Sequence, residues 1–563
     1  MSAAWGGRVM LDRSRWLRVN ALRTPRRRRG VLVPACCAVA AVLSACGSSS
    51  SSSSDVSSQG ADPASAVPAS ALAYIQADVR PGGSLAQSID AASKRLLGIS
   101  DPGSKLVAMI DKSMASGSSY ETDVSPWLGQ QAAVAVLAGT TRAKAEFAVV
   151  LDQTDTAKAR AATKNSVLFG SRRGRSDTLA HASYRGVSYT EDLTAPIDVG
   201  VVGDYVVLAS DAAAFDAIVD TYRGAASLAA SSGFKQAVSA ELAGADGVAY
   251  VPLFRLLDAL IPAAGTQSST AAQILQELRA RFANAILSGS ARFDSSGAAI
   301  DLAVSGAGSS SSGSSSSGET NPIGTLPGGS WLAVGLTNVG PSLGKLFTEL
   351  GQLGSSGGSG SFTSSLREIQ QVTGVNIEGD LQSITTAGLF AKGSNFGTLE
   401  AALVLSLKDP SRAPMIVSQL DRLAALISTS DHAFSVGPLS QTNIQSGFTI
   451  QVPNVPFTFD VAAGGGRVVV ALGTTSLNDA LASSGRLSAT SGYSTATSDL
   501  GSGIQPDAIV DLPAIVALLK NLGAASGATA AKALPYLERL GTVALGSGTA
   551  GGEHHVRIVV SGS

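Results

Sequence analysis

Thiols, a serine flanked by glycines, a glycine triplet and adjacent histidines are the features of this chain whose residue types and spacing could do chemistry. Leu43-Ser44-Ala45-Cys46 places an aliphatic residue and two small ones before a thiol. That is the order of a bacterial lipobox, in which the sulfur takes a diacylglycerol and the preceding segment is cleaved, so Cys46 is the expected lipidation site. A G-x-S-x-G string occurs at Gly354 to Gly358, inside a glycine-serine stretch with no apolar strand leading in. The strained strand-to-helix elbow of a hydrolase has nothing to build on there. A G-x-G-x-x-G string occurs at Gly546, Gly548 and Gly551, followed by "EHHVRIVV". A pyrophosphate site needs a helix N-terminus after those glycines, whereas this continuation reads as a strand and the glycines as a hairpin turn.

The histidines are His181, His432, His554 and His555. Neighbouring strand residues point to opposite faces, so His554 and His555 are not expected to chelate one metal together. Asp123 and Asp380, each just ahead of a β segment, read as turn or capping acids, and Trp127 and Trp331 as packing residues. No catalytic set, metal set or cofactor site is expected, and the chain reads as a non-enzyme.

The elements that would present Cys46 come first in the chain. Residues 1–45 carry nine arginines against one acid, Asp12, and Val31 to Ala45 forms an apolar run. At about fifteen residues the run is too short for a membrane span and suits a signal-peptide core. Arg28-Arg29 resembles, loosely, a twin-arginine export signal. Seven serines follow Cys46 within "GSSSSSSSD", and residues 46–67 read as a spacer too polar to bury a core. Two or more acyl chains anchor a protein durably without a transmembrane helix. The expected location is the extracytoplasmic face of the cell membrane.

Removing the leader leaves 32 basic and 41 acidic residues, so the net charge moves from −1 to −9 with histidine neutral. Such a surface argues against nucleic-acid partners. Cys36 and Cys37 leave with the leader, so no intrachain disulfide is expected and packing alone must stabilise the fold.

Self-similarity at long period divides what remains. "PASALAYIQAD" from Pro68 is echoed by "PGGSWLAVGLT" from Pro327, and Asp123 aligns with Asp380. "EFAVVLDQTDTAKARA" from Glu146 is echoed by "EAALVLSLKDPSRAPM" from Glu400, each a strand entering a helix capped by Asp155 or Asp409. "IDLAVSG" from Ile300 is echoed by "VRIVVSG" from Val556 as the closing strand. Six such pairs, offset by about 254 to 262 residues, predict repeat domains at 68–306 and 327–563, joined by a Ser/Gly-rich linker at 307–326. Strands joined by glycine turns, interrupted by helices near 85–97, 104–116, 155–166, 211–222, 253–262 and 271–284, predict an α+β fold. Each copy would be a mainly antiparallel sheet with helices on one face.

On "DVSPWLGQQAAVAVL" (Asp123 to Leu137) and "PASALAYIQADV", the chain resembles a family of actinobacterial envelope proteins known only as a domain of unknown function, number 3352. The resemblance implies a lipobox or membrane anchor, an opening strand and a D-x-x-P-W-L-G segment, and it brings no catalytic residue. In the second copy the Trp-Leu-Gly of 127 to 129 reads Ile-Thr-Thr. The function expected is therefore a lipid-anchored binding or scaffold module for an envelope partner. The alternative is a carrier holding a lipid or other apolar ligand between sheet and helices, with which the mean hydropathy of +0.23 is compatible.

Overall fold

A computed structural model describes residues 61–563 except 114–117, 139–145, 165–178, 194–196, 240–243, 266–268, 307–319, 343, 345–376, 432–433, 524–527 and 551–552. Cys46, His432, Gly551 and the G-x-S-x-G string lie outside the described residues. The architecture is mixed helix and antiparallel sheet.

Ten strands come from the first part of the chain: β1 (Ala73–Asp78), β2 (Leu128–Leu137), β3 (Glu146–Gln153), β4 (Leu179–Tyr184), β5 (Val187–Asp192), β6 (Ile197–Val202), β7 (Tyr205–Ala209), β8 (Gly247–Pro252), β9 (Ile286–Asp294) and β10 (Gly297–Ser305). Ten more follow: β11 (Leu332–Thr337), β12 (Ile384–Lys392), β13 (Glu400–Leu407), β14 (Ser435–Pro438), β15 (Ser446–Gln451), β16 (Thr458–Gly464), β17 (Arg467–Leu472), β18 (Ile504–Asp511), β19 (Leu540–Ala550) and β20 (Glu553–Gly562). All twenty join one sheet in which every pairing is antiparallel.

The first ten pair in the spatial order β4-β5-β6-β7-β3-β2-β1-β8-β9-β10. The sheet crosses from β10 to β20 and continues β19-β18-β11-β12-β13-β17-β16-β15-β14. The second series repeats the pairings of the first in mirror order, and among the described residues β4 and β14 form the two edges. Turn chemistry accounts for the hairpins. Gly465 and Gly466, at φ of 58° and 74°, supply the two positive-φ positions of a tight turn between β16 and β17.

Helices with described bounds are α1 (Gly83–Leu97), α2 (Pro102–Ser113), α3 (Thr156–Lys164), α4 (Ala212–Tyr222), α5 (Ser232–Ser239), α6 (Leu253–Gly265), α7 (Ser269–Arg281), α8 (Ile377–Gln382), α9 (Ala413–Asp431), α10 (Gly473–Leu481), α11 (Ser491–Leu500), α12 (Leu512–Asn521) and α13 (Ala528–Leu537). Asp155 caps α3 through Ala157 N and Lys158 N, and Asp409 caps a short turn begun by Pro410, as their spacing predicts.

Helices cover both sheet faces, which corrects the expectation of a single covered face. Val207 packs with Phe215 and Ile218 of α4, while its neighbour Val206 packs with Ala159 and Ala162 of α3. Ala462 packs with Leu477 of α10, while Val461 packs with Ile416 and Val417 of α9. Strands such as Ile197–Val202 and Arg467–Leu472 run apolar at successive positions, and both faces then require cover. We call the face carrying α4, α5, α10 and α11 the upper face.

The folded body also reaches further than composition suggests. Asp62 caps a turn at Pro63–Ser65, and Ala64, Ala66 and Val67 are fully buried. Asn321 caps Pro322–Thr325, with Ile323 and Leu326 buried. Both stretches, placed above in the spacer and the linker, are core, because alanine and proline beside a capping side chain pack well despite a loop-like composition.

Candidate functional site

The middle of the sheet reverses the usual distribution of side chains. In β10, "GAAIDLAVS", alternation would turn Ile300, Leu302 and Val304 inward and Asp301 to solvent. Instead Asp301 is 2% exposed on the upper face, while Ile300 and Leu302 stand 47% and 40% exposed on the lower one. In β20 the same holds: His555 is 3% exposed and Val556 41%.

Cross-strand partners carry the lower-face pattern across the seam. One row runs Val134, Ile75, Ala249, Gly289, Leu302, Val556. The next runs Ala77, Gly247, Ala291, Ile300, Ile558, Leu545, Ala508, Val334, Leu389, Leu403. Every residue in both rows is Ala, Gly, Val, Leu or Ile. In these rows Ile75, Leu389 and Val556 are 40%, 39% and 41% exposed, while Ala77 is buried. Helix α1 covers one end of this face, where Arg95 lies over Gly562, and exposed apolar side chains clustered beside it mark interaction surfaces.

On the upper face of the same strands, polar groups are enclosed beneath α5 and α11. Asp301 Oδ2 meets His555 Nδ1 at 2.7 Å and Asp301 Oδ1 accepts from Arg557 Nε at 3.0 Å. His555 Nε2 meets the carbonyl of Ala550 at 3.2 Å, and Arg557 also donates to the carbonyl of Leu500 at the end of α11. Glu553 accepts from Gln236 Nε2 of α5 at 2.8 Å. The carboxylate of Asp301 is therefore compensated by two partners from the other side of the seam, the condition under which a buried charge is tolerated. His554 faces outward and His555 inward, as strand alternation requires.

The other sequence candidates fall elsewhere. The Asp123 carboxylate accepts from Ser119 N at 2.9 Å and Thr122 Oγ1 at 2.8 Å, closing a turn at Tyr120–Val124. Asp380 is different: it pairs with Arg412 at 2.7 Å rather than capping, and burial outweighs that partner to raise its pKa. Trp127 is buried and donates to the Asp123 carbonyl at 2.6 Å, and Trp331 donates to the Gly393 carbonyl at 3.0 Å. Gly546 and Gly548 lie within β19, where a Cβ would strike carbonyls of the Gly503–Gln505 segment, and the chain returns as β20 in the predicted hairpin. His181 meets Thr190 Oγ1 at 3.4 Å. Among the described residues no three metal-ligating side chains converge and no helix is long and apolar enough to cross a membrane.

Cavities of 340 and 470 Å³ open at the ends of β1 and β2. Asp62, Asp78, Asp246, Gln76 and Gln131 contribute to the first, and Arg80, Asp152, Gln153 and Asp204 to the second. Burial raises the pKa of Asp78 and of Asp246, the latter helped by Asp78 and Asp294. Carboxylates and amides thus share the wall of the first with Phe234, Val238 and Ala245, and the second is lined largely by polar groups.

Sequence reasoning missed the Asp301, His555 and Arg557 cluster and the open rows, since both depend on strand register. The one available signal was the charged pair at equivalent positions of "IDLAVSG" and "VRIVVSG". Residues 31–522 match the profile of a family described as a protein of unknown function, DUF3352. No curated protein and no solved structure matches the chain.

Proposed function

Because the chain belongs to the DUF3352 family, whose description assigns no activity, we propose a function from its geometry: a non-enzymatic envelope module that binds a partner through the apolar rows at the centre of its lower sheet face. The carrying observation is the reversal at the seam. Charges are enclosed while Ile300, Leu302 and Val556 stand in the open on the adjacent strands β10 and β20, and Ile75 does so on β1 in the same row. Water contact with that much apolar surface is unfavourable by about 25 cal/mol per Å², so a complementary surface gains by covering it.

The module is lipid-anchored at Cys46 and extracytoplasmic, a reading supported by the basic leader, the apolar run and the lipobox order. It consists of two tandem copies fused into one sheet. The repeated pairing order, and the matching capped turns at Asp62-Pro63 and Asn321-Pro322, support this. The carrier reading ranks second, because the two larger described cavities have carboxylates and amides in their walls.

A photocrosslinking residue placed at Ile300 or Leu302 in intact cells should yield a discrete adduct that is lost in Val556→Asp. Adducts no different from those at exposed Met415 on α9 would refute the binding face. Native mass spectrometry of the non-acylated body reads the carrier alternative, since a co-purifying lipid would promote it above the first reading. Labelled fatty acid should enter the wild type and not Cys46→Ser, and equal membrane retention of that variant would refute the anchor.

A further inference from the structure

We infer that the Asp301–Arg557 pair selects which halves can share the central seam, admitting a first half (61–306) beside a second half (320–563) and excluding two halves of the same kind. The inference rests on the tandem reading but not on what covers the lower face.

Register supplies the geometry. Pro68 bridges Ser227 and Pro327 bridges Arg486, which aligns the opening segments and sets Ile75 equivalent to Val334. Ile75 faces Ala249, and Val334 faces Ala508. Ala249 faces Gly289, which faces Leu302; Ala508 faces Leu545, which faces Ile558. Leu302 is thus equivalent to Ile558, and one step back Asp301 is equivalent to Arg557. Yet Asp301 and Arg557 are also direct partners across β10 and β20. A residue that is both the equivalent and the neighbour of another sits on the two-fold axis relating the halves.

In a true homodimer the residue on such an axis is set against its own copy. Two first halves would oppose Asp301 to Asp301, and two second halves Arg557 to Arg557, in each case without the compensating partner. Like charges directly opposite in a ladder repel, and at a site this enclosed water cannot screen them. His555 adds to the asymmetry. It contributes a second contact to Asp301, and its equivalent in the first half is Ala299, which has no such group. One half therefore brings the carboxylate and the other both of its partners.

The test starts from the folded full chain carrying a protease site within 307–319. After cleavage, the two pieces are exchanged under mild denaturant and weighed by native mass spectrometry. Wild type should return unlike pairs only. Asp301→Asn/Arg557→Gln, which removes the charges, should raise the share of like pairs about tenfold, equivalent to about 1.4 kcal/mol of selectivity. The exchanged pair Asp301→Arg/Arg557→Asp should remain selective, whereas each single reversal should lose unlike pairing, so the inference stays testable if the neutral variant folds poorly. Like pairs in statistical proportion from wild type, failure of its pieces to re-pair, or single reversals that pair as wild type does would each overturn the selection. None of these outcomes touches crosslinking at Ile300, which judges the binding face separately.

Discussion

Gly129 shows how a single residue can be visible in sequence while its reason is not. The Trp-Leu-Gly segment stands out by composition, but nothing in it announces that the Asp152 carboxylate lies 2.1 Å from where a Gly129 Cβ would be. Asp152 is buried and accepts from Ala61 N and Gln130 N, so it cannot withdraw without leaving both unpaired. Gly129→Ala should therefore lower stability by about 2–3 kcal/mol, the range for overpacking at a fixed neighbour, read by urea denaturation. Asp198 carries a pH dependence of its own. Burial first, then Glu191, Asp211 and Asp216, pushes its pKa up to about 6, and its Oδ2 has no hydrogen-bond partner among the described residues. A carboxyl raised in this way holds its proton in the folded state at pH values where the unfolded chain has released it. Its contribution is thus complete below pH 4 and is lost as pH rises through 6. Asp198→Asn should match wild type near pH 4 and exceed it by about 3 kcal/mol at pH 8, from 1.36 kcal/mol per unit. Denaturation midpoints across that range check it, and a difference independent of pH would contradict the assignment.

Elements were legible where local chemistry decided them. Asp155 before α3, the two-residue turn between β6 and β7, and the closing hairpins β9–β10 and β19–β20 all follow from caps, glycines and alternation. Helix α5 was not, since "SGFKQAVS" is short and opens with serine and glycine. Tertiary contact holds it: Phe234 meets Tyr74 and Tyr250 edge-on at 5.5 Å. The facing of β10 and β20 is illegible in sequence for a related reason, because alternation gives two parities and only the neighbouring helices choose between them. Helix α4 permits a direct measurement of how much such local signals stabilise. Its cap, Asp211, accepts from Ala214 N at 3.1 Å, and Asp211→Ala should cost about 1 kcal/mol while Asp211→Ser keeps most of it. Equal losses in both variants would place the role of Asp211 elsewhere, in its charge beside Asp198.

For the whole molecule the decisive quantity is cooperativity. Two bodies joined by a linker would unfold independently, but here β10 and β20 share a ladder of eight residue pairs with Asp301 bridged to His555 and Arg557 across it. Opening either half strips partners from the other and leaves a buried charge alone, a loss of about 3–5 kcal/mol before any apolar contact is counted. The halves should therefore unfold in one transition. The chain provides its own probes, since beyond residue 45 only Trp127 and Trp331 remain, one on each side of the seam. With Trp331→Phe the fluorescence reports the first half, and with Trp127→Phe the second. In each variant the tryptophan midpoint should coincide with that of far-ultraviolet circular dichroism on the same sample. Arg557→Leu should then separate the two, because Asp301 would lose one of its two partners and the ladder would open before either core does. Midpoints already apart in the parent variants would mean that the continuous sheet does not couple its halves, and the seam would have to be regarded as a contact between independent bodies.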